Sequence, residues 1–316
     1  MWKPIRLVPP NTRIDFMRWH KFTFGLAVFM TVASVLLVAF KGLNYGIDFA
    51  GGILMEVRAE QTPDLANMRE HLSGIGIGEV ALQSFGDQNT VLIRLPQQEG
   101  GEQAQQAAIG KVRAALGEGW EYRRTETVGP KVGAELIKNA IIAVALAMAG
   151  IFIYVWVRYA WQFGMNALLA MVHDVVTTVG LFSLLGLQFD LATVAAVLTV
   201  AGYSVNDKVV VFDRIRYEMR RFKTMPIGDV INLSVNETLS RTTVTAGLTL
   251  ISVIALFLFG GEVLRGFAIA LIWGIAIGTY SSICIAAAGL LNLRQSKIRG
   301  DDQDAKEAGK GAPHGA

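Results

Sequence analysis

Charge is scarce in this chain. Asp, Glu, Lys and Arg make up 17% of its 316 residues against 52% hydrophobic, which is too apolar for an ordinary soluble domain of this length and points to a polytopic membrane protein. Cysteine is almost missing: Cys284 stands alone in an apolar run, which excludes a disulfide framework or a cysteine metal site within one chain. A basic patch interleaved with aromatics is lacking too, so the formal charge of +3 does not argue for nucleic acid. The basic residues stand beside apolar runs, where membrane orientation explains them. No Ser/His/Asp set, phosphate loop or cluster of metal ligands stands out, and no cofactor is expected. GIGIGE (74–79) has glycines but not the Lys-Ser/Thr of a Walker loop. Asp174 and Asp207 raise the alternative of an intramembrane aspartyl protease, but the residues around them do not form the paired signatures of that class.

What is present is long apolar sequence. A bilayer core of about 30 Å takes about 20 mostly apolar helical residues. Six stretches meet that length: 22–40, 139–157, 164–186, 191–211, 242–260 and 264–291. Residues 1–21 are basic and invite a signal-peptide reading, yet the run after them exceeds the h-region of about 7–15 residues and no small-x-small site follows, so 22–40 reads as a retained anchor. Lys3, Arg6, Arg13, Arg18 and Lys21 precede the first span, and Arg158 separates the second from the third. Arg214, Arg216, Arg220, Arg221 and Lys223 lie between the fourth and fifth, in an expected loop 212–241, and Arg294, Lys297 and Arg299 follow the sixth. Lys and Arg in short loops stay in the cytoplasm, so both termini are expected there, with residues 41–137 on the opposite side.

That segment alternates as a folded domain does. ILMEVR (53–58), EVALQSF (79–85), NTVLIRL (89–95) and WEYRRTETV (120–128) read as strands, and 64–74 and 101–117 as helices. The order βαββαβ is that of the ferredoxin-like motif. It could serve as a spacer; tethered at both ends to spanning helices, it is better suited to carrying motion or touching a partner. The spans beyond it occupy 138–291, and residues 292–316 form a tail whose Gly, Ala and charge predict disorder, with His314 incidental.

Ionisable residues inside apolar spans cost about 2.5–3.5 kcal/mol each at the centre and call for a reason. His173 and Asp174 fall near the middle of the third span, either as hydrogen-bonding ties between helices or as groups that exchange protons. Asp207 lies toward the cytoplasmic end of the fourth span, as an interfacial cap or a titrating group. Lys208, about 100° around the helix from it, is expected to snorkel to the interface, the alternative being that it neutralises a neighbouring carboxylate. Arg241 opens the fifth span at a similar depth, with Thr242, Thr243 and Thr245 as expected hydroxyl partners. Burial favours the neutral acid and a nearby guanidinium favours the carboxylate; alternating the two would let Asp207 bind and release a proton. Gly202, Ser204 and Asn206 near Asp207, and Gly274 with Gly278 in the sixth span, are expected helix-packing positions.

YGIDFAGG (45–52), HDVVTTVG (173–180), GYSVNDKVVVFDRIRYE (202–218) and NETLSRTTVTAGLTL (236–250) closely resemble the SecF family, subunits of the bacterial SecDF protein-export complex, over about residues 20–295. The resemblance implies kinship with resistance-nodulation-division (RND) transporters. It also implies a six-helix half of a twelve-helix unit in the bacterial inner membrane with the α+β domain in the periplasm. The implied partners are a SecD-like subunit, the SecYEG channel, the SecA motor and the unfolded polypeptide in transit, and the implied drive is a proton or sodium gradient. The family's proton-path carboxylate falls on Asp207 and its essential arginine on Arg241. Lys208 departs from the family pattern, which has threonine there, and leaves the coupling ion open. Half of a small-molecule exporter of the same superfamily is the alternative.

Overall fold

The computed structural model describes Pro9 and residues 12–292. Lys3, Arg6 and the tail from residue 293 on, with Arg294, Lys297, Arg299 and His314, lie outside the described residues. The first spanning helix, α1 (His20–Lys41), leads into a short strand β1 (Asn44–Tyr45) and one helical turn, α2 (Ile47–Ala50). The α/β domain follows as β2 (Gly52–Ala59), α3 (Leu65–Ser73), β3 (Ala81–Phe85), β4 (Asp87–Leu95), α4 (Gly101–Leu116) and β5 (Trp120–Val128). Its sheet runs β3-β4-β2-β5 with every pair antiparallel, the order a βαββαβ chain takes in the ferredoxin-like motif.

The alternation along the strands decides its core. Ile53, Met55 and Val57 of β2 pair in register with Leu95, Ile93 and Val91 of β4, and all six are buried under Met68 and Leu72 of α3 and Ile109 and Val112 of α4. Each such side chain contributes about 1.5–3 kcal/mol by leaving water. Gly52 starts β2 where nothing larger fits: a Cβ there would stand 2.4 Å from the Leu95 carbonyl oxygen, at φ +123°. The opposite face, with Leu54, Glu56 and Arg94, turns toward the membrane part and lines a cavity of about 420 Å³ there.

Five further spanning helices complete the chain: α5 (Pro130–Arg158), α6 (Trp161–Leu185), then, after β6 (Gln188–Phe189), α7 (Leu191–Arg221), α8 (Ile227–Phe259) and α9 (Gly261–Ser281), which continues as a π-helix over Ser282–Ala287. The apolar runs understate these helices. Segment 212–241, expected as a loop, is helical except for 222–226, because α7 and α8 project past their apolar stretches and are tied together there by Arg214 of α7 with Glu237 of α8, while Arg214 with Glu218 (2.8 Å) is an i,i+4 pair within α7. α6, α7 and α9 form the centre of the bundle, with α1 and α5 against α6, and α8 against α7 and α9. α1 leaves Phe22, Phe29 and Val35 uncovered, as a helix facing lipid does.

The turn between α6 and α7 is grafted onto the domain end. β1 and β6 pair in parallel, Asn44 with Gln188 and Tyr45 with Phe189. Leu191 N–H donates to Asp48 Oδ2 at 3.0 Å, Gly46 N–H to the Phe189 carbonyl at 2.8 Å, and the Arg94 guanidinium to Gln188 Oε1. Burial against this turn pushes the Arg94 guanidinium below its ordinary pKa, with Asp190 opposing the shift.

Candidate functional site

The centre of the bundle holds the charges that the apolar sequence made conspicuous. α6 brings His173 and Asp174, α7 brings Ser204, Asp207 and Lys208, and α9 brings Thr279 and Ser281. The helices approach closely because α9 presents glycine to α7. A Cβ on Gly274 would stand 2.1 Å from a methyl of Val200, and one on Gly278 would stand 3.0 Å from the Ser204 hydroxyl.

Asp174 is wholly buried, and one of its oxygens is the hub of the centre. Oδ2 accepts from the Ser204 hydroxyl at 2.5 Å, the Ser281 hydroxyl at 2.8 Å and the Lys208 ammonium at 2.9 Å, while Oδ1 has no hydrogen-bond partner among the described residues. Lys208 is wholly buried as well and also donates to Ser281 Oγ at 3.1 Å and to Ser204 Oγ. The expected snorkelling of Lys208 is therefore corrected. Helical side chains tilt toward the N-terminus, and the N-terminus of α7 lies at the domain end, so the stem of Lys208 runs toward the middle of the span rather than out to the nearer surface. There the ammonium neutralises Asp174. The hydroxyls of Thr177 and Thr178 are spent on carbonyls of their own helix, at 2.8 Å from His173 O and 2.7 Å from Asp174 O.

His173 belongs to another face of α6. Its Nδ1 meets Thr31 Oγ1 of α1 at 2.8 Å, its ring lies 6.2 Å from that of Tyr280, and its Nε2 has no partner among the described residues. It ties α1 to the centre and does not reach into the Asp174 cluster.

Asp207 is 3% exposed, and its Oδ2 makes no hydrogen bond among the described residues. Lys208 and Arg241 both act on it as positive charges, and the Thr279 hydroxyl lies beside it while donating to Ile275 O at 2.9 Å. The expected hydroxyl partners after Arg241 are not the ones supplied: Thr245 donates to the Arg241 carbonyl at 2.9 Å, and the neighbouring hydroxyl comes from α9. Arg241 itself is exposed and lines a cavity of about 770 Å³ at the end of the bundle remote from the domain, with Arg158, Asp213, Arg214 and Glu237. Asp207 does not itself line that cavity; Arg241, whose charge acts on it, does.

Two expected packing residues fall elsewhere. Gly202 and Asn206 are exposed, and a Cβ on Gly202 would meet nothing within 4 Å. With Thr199 they make a small, polar strip on the uncovered side of α7. The converse surprise is Ser281, which sequence reasoning passed over. Its signal was spacing: Gly274, Gly278 and Ser281 follow one another at i+4 and i+7 on one face of an otherwise apolar helix, and the π-helix starts at the next residue.

Known proteins share this architecture. The family described as Protein export membrane protein SecD/SecF, C-terminal, matches residues 108–296, and the SecD/SecF GG Motif matches residues 36–63, which include Gly51 and Gly52. The chain is 43% identical over 329 residues to the Protein translocase subunit SecF of Rhodobacter capsulatus, covering 99% of this chain and 98% of that one. It is 44% identical over 288 residues to the protein of that name from Rickettsia bellii, covering 90% and 94%. Among solved structures it superposes on SecDF, a translocon-associated membrane protein from Thermus thermophilus, with a TM-score of 0.80 and 36% identity over 91% of this chain. SecDF in its super-membrane-facing form gives a TM-score of 0.69 and 35% identity over 98% of this chain. The chain spans 39% and 41% of those two SecDF chains.

Proposed function

The chain belongs to the SecD/SecF family of protein export membrane proteins, and from that premise we propose that it is one half of an ion-driven device that assists polypeptide export across the bacterial inner membrane. It is a multi-pass translocase subunit rather than an enzyme. The other half is a SecD-like subunit, and together they assist the SecYEG channel and the SecA motor. The tie to SecD is supported by the length relation to the SecDF chains and by the strip of Thr199, Gly202 and Asn206. An asparagine amide facing lipid is costly, whereas a facing helix can satisfy it. In this orientation both termini are cytoplasmic, the α/β domain is periplasmic and Arg241 lies on the cytoplasmic side.

The observation that carries the reading is Asp207: buried, lacking a partner for Oδ2, and under the influence of Arg241 beside a wide cavity. Protonation from that side neutralises the carboxyl and removes its attraction to Arg241 and Lys208, which shifts the preferred spacing of α7, α8 and α9. The turn between α6 and α7 is hydrogen-bonded to the base of the domain through β1, β6, Asp48 and Arg94. Displacement of α7 therefore reaches the domain, which moves against the emerging polypeptide. The proton leaves on the periplasmic side as the helices return.

The test uses the assembled complex in proteoliposomes. Asp207→Asn and Arg241→Met leave co-purification with the SecD-like subunit intact and abolish gradient-dependent stimulation of export. Normal stimulation by either variant contradicts the proton path, and self-assembly without a SecD-like partner favours the small-molecule exporter.

A further inference from the structure

In the proposed cycle Lys208 enters as a charge acting on Asp207, and the oxygens gathered around its ammonium have no part. Its ammonium is enclosed by oxygen: Asp174 Oδ2 at 2.9 Å, Ser281 Oγ at 3.1 Å, the Ser204 carbonyl at 3.5 Å, and Ser204 Oγ. The Gly278 carbonyl stands next in line, 3.1 Å from Ser281 Oγ, and Asp174 Oδ1 is unoccupied by any hydrogen bond. Asp174, Ser204, Lys208 and Ser281 are each at most 1% exposed. A carboxylate, two hydroxyls and a carbonyl gathered around one positive charge form the ligand set that suits a hard cation.

We propose that this cage is an alkali-metal cation site kept filled by a cation tethered to the chain, so that Lys208 sets ion specificity by excluding sodium and potassium. A purely structural tie accounts for the cage less well. A buried ion pair roughly breaks even with well-packed apolar side chains, and α7 and α9 are already joined through Gly274 against Val200 and Gly278 against Ser204. What the ammonium does that a leucine could not is occupy the charge-matched position permanently. A mobile ion would load and leave this position; a lysine cannot leave it. Asp174 is thereby kept paired with a cation that does not leave.

The inference bears on which ion drives the proposed export cycle and rests on that reading only for this consequence, since cation binding can be measured without export. Purified full-length wild type, Lys208→Ala and Lys208→Ala/Asp174→Asn are melted in sodium, potassium and choline chloride at equal ionic strength. Removing the ammonium opens the cage. Lys208→Ala therefore melts several degrees higher in sodium or potassium than in choline, with saturation as the cation is raised. Wild type and the double variant melt alike in all three salts. Equal melting of Lys208→Ala in all three, or the same alkali effect in wild type, overturns the proposal. If Lys208→Ala does not accumulate, Lys208→Ser, which adds an oxygen to the cage, replaces it with the same expected and overturning results, and the wild-type arm stands by itself. Normal export by Asp207→Asn together with an alkali-stabilised Lys208→Ala would fell the proton path and leave this inference standing. An inactive Asp207→Asn with no alkali effect would do the reverse.

Discussion

Asp174 and Asp207 are both buried carboxyls of the helix bundle, yet their surroundings differ in kind. Asp174 sits at the middle of α6 with three donors on one oxygen and a lysine that has nowhere else to go. Asp207 sits on the side of α7 that meets α8, with one oxygen unbonded, and its cationic partner Arg241 is exposed. Asp174 is held by a buried cation tethered to the neighbouring helix, whereas the arginine acting on Asp207 stands at an exposed position. The contrast separates a carboxyl enclosed by fixed donors from one whose cationic neighbour borders an open cavity.

The largest effect should come from breaking the locked pair. Asp174→Ala leaves the Lys208 ammonium buried without its counter-ion, and the loss should be about 3–5 kcal/mol, seen as a collapse of folded protein in membranes. Asp174→Asn/Lys208→Met, which removes both charges at similar volume, should recover most of the folded yield; a double variant as unstable as Asp174→Ala would mean that packing rather than charge was lost. Next in size is the contact that brings α9 to α7. Gly274→Ala pushes a methyl into Val200 and should cost about 1–3 kcal/mol in thermal unfolding. Asp207→Asn, by contrast, removes no hydrogen bond from Oδ2 and should shift unfolding by about 1 kcal/mol or less, while it abolishes stimulation of export. Smallest of all is Gly202→Ala, whose new methyl meets nothing within the chain. By itself the chain should not lose stability, and a loss of co-purification with a SecD-like subunit would place the partner helix on that strip.

The same contrast explains how much could be read from sequence. The α/β domain was legible strand by strand, because Ile53, Met55 and Val57 alternate with Leu54, Glu56 and Arg58, and a period of two has one meaning when a single face is buried. The six spans were legible from apolar length, but their ends were not. α7 runs to Arg221 and α8 starts at Ile227, since charged helix beyond the lipid carries no hydropathy signal. At the site, the residue types in the membrane singled out Asp174, Asp207 and Arg241 as candidates, whereas pairing did not follow from them. The side chain of Lys208 was expected to reach outward because snorkelling relieves its charge; the direction of the Cα–Cβ bond and the carboxylate waiting at mid-span send it inward. Ser281 and Thr279 looked like ordinary small polar residues, and only the approach of α9 along its glycine face gives them a role.

The most direct measurement of the central claim is difference infrared spectroscopy of the assembled complex in membranes, following side-chain carboxyl bands as the pH is stepped across the working range. The account predicts a carboxyl band that appears and vanishes reversibly, is lost in Asp207→Asn, and persists in Asp174→Asn/Lys208→Met. A band that survives Asp207→Asn and disappears with Asp174 would contradict it.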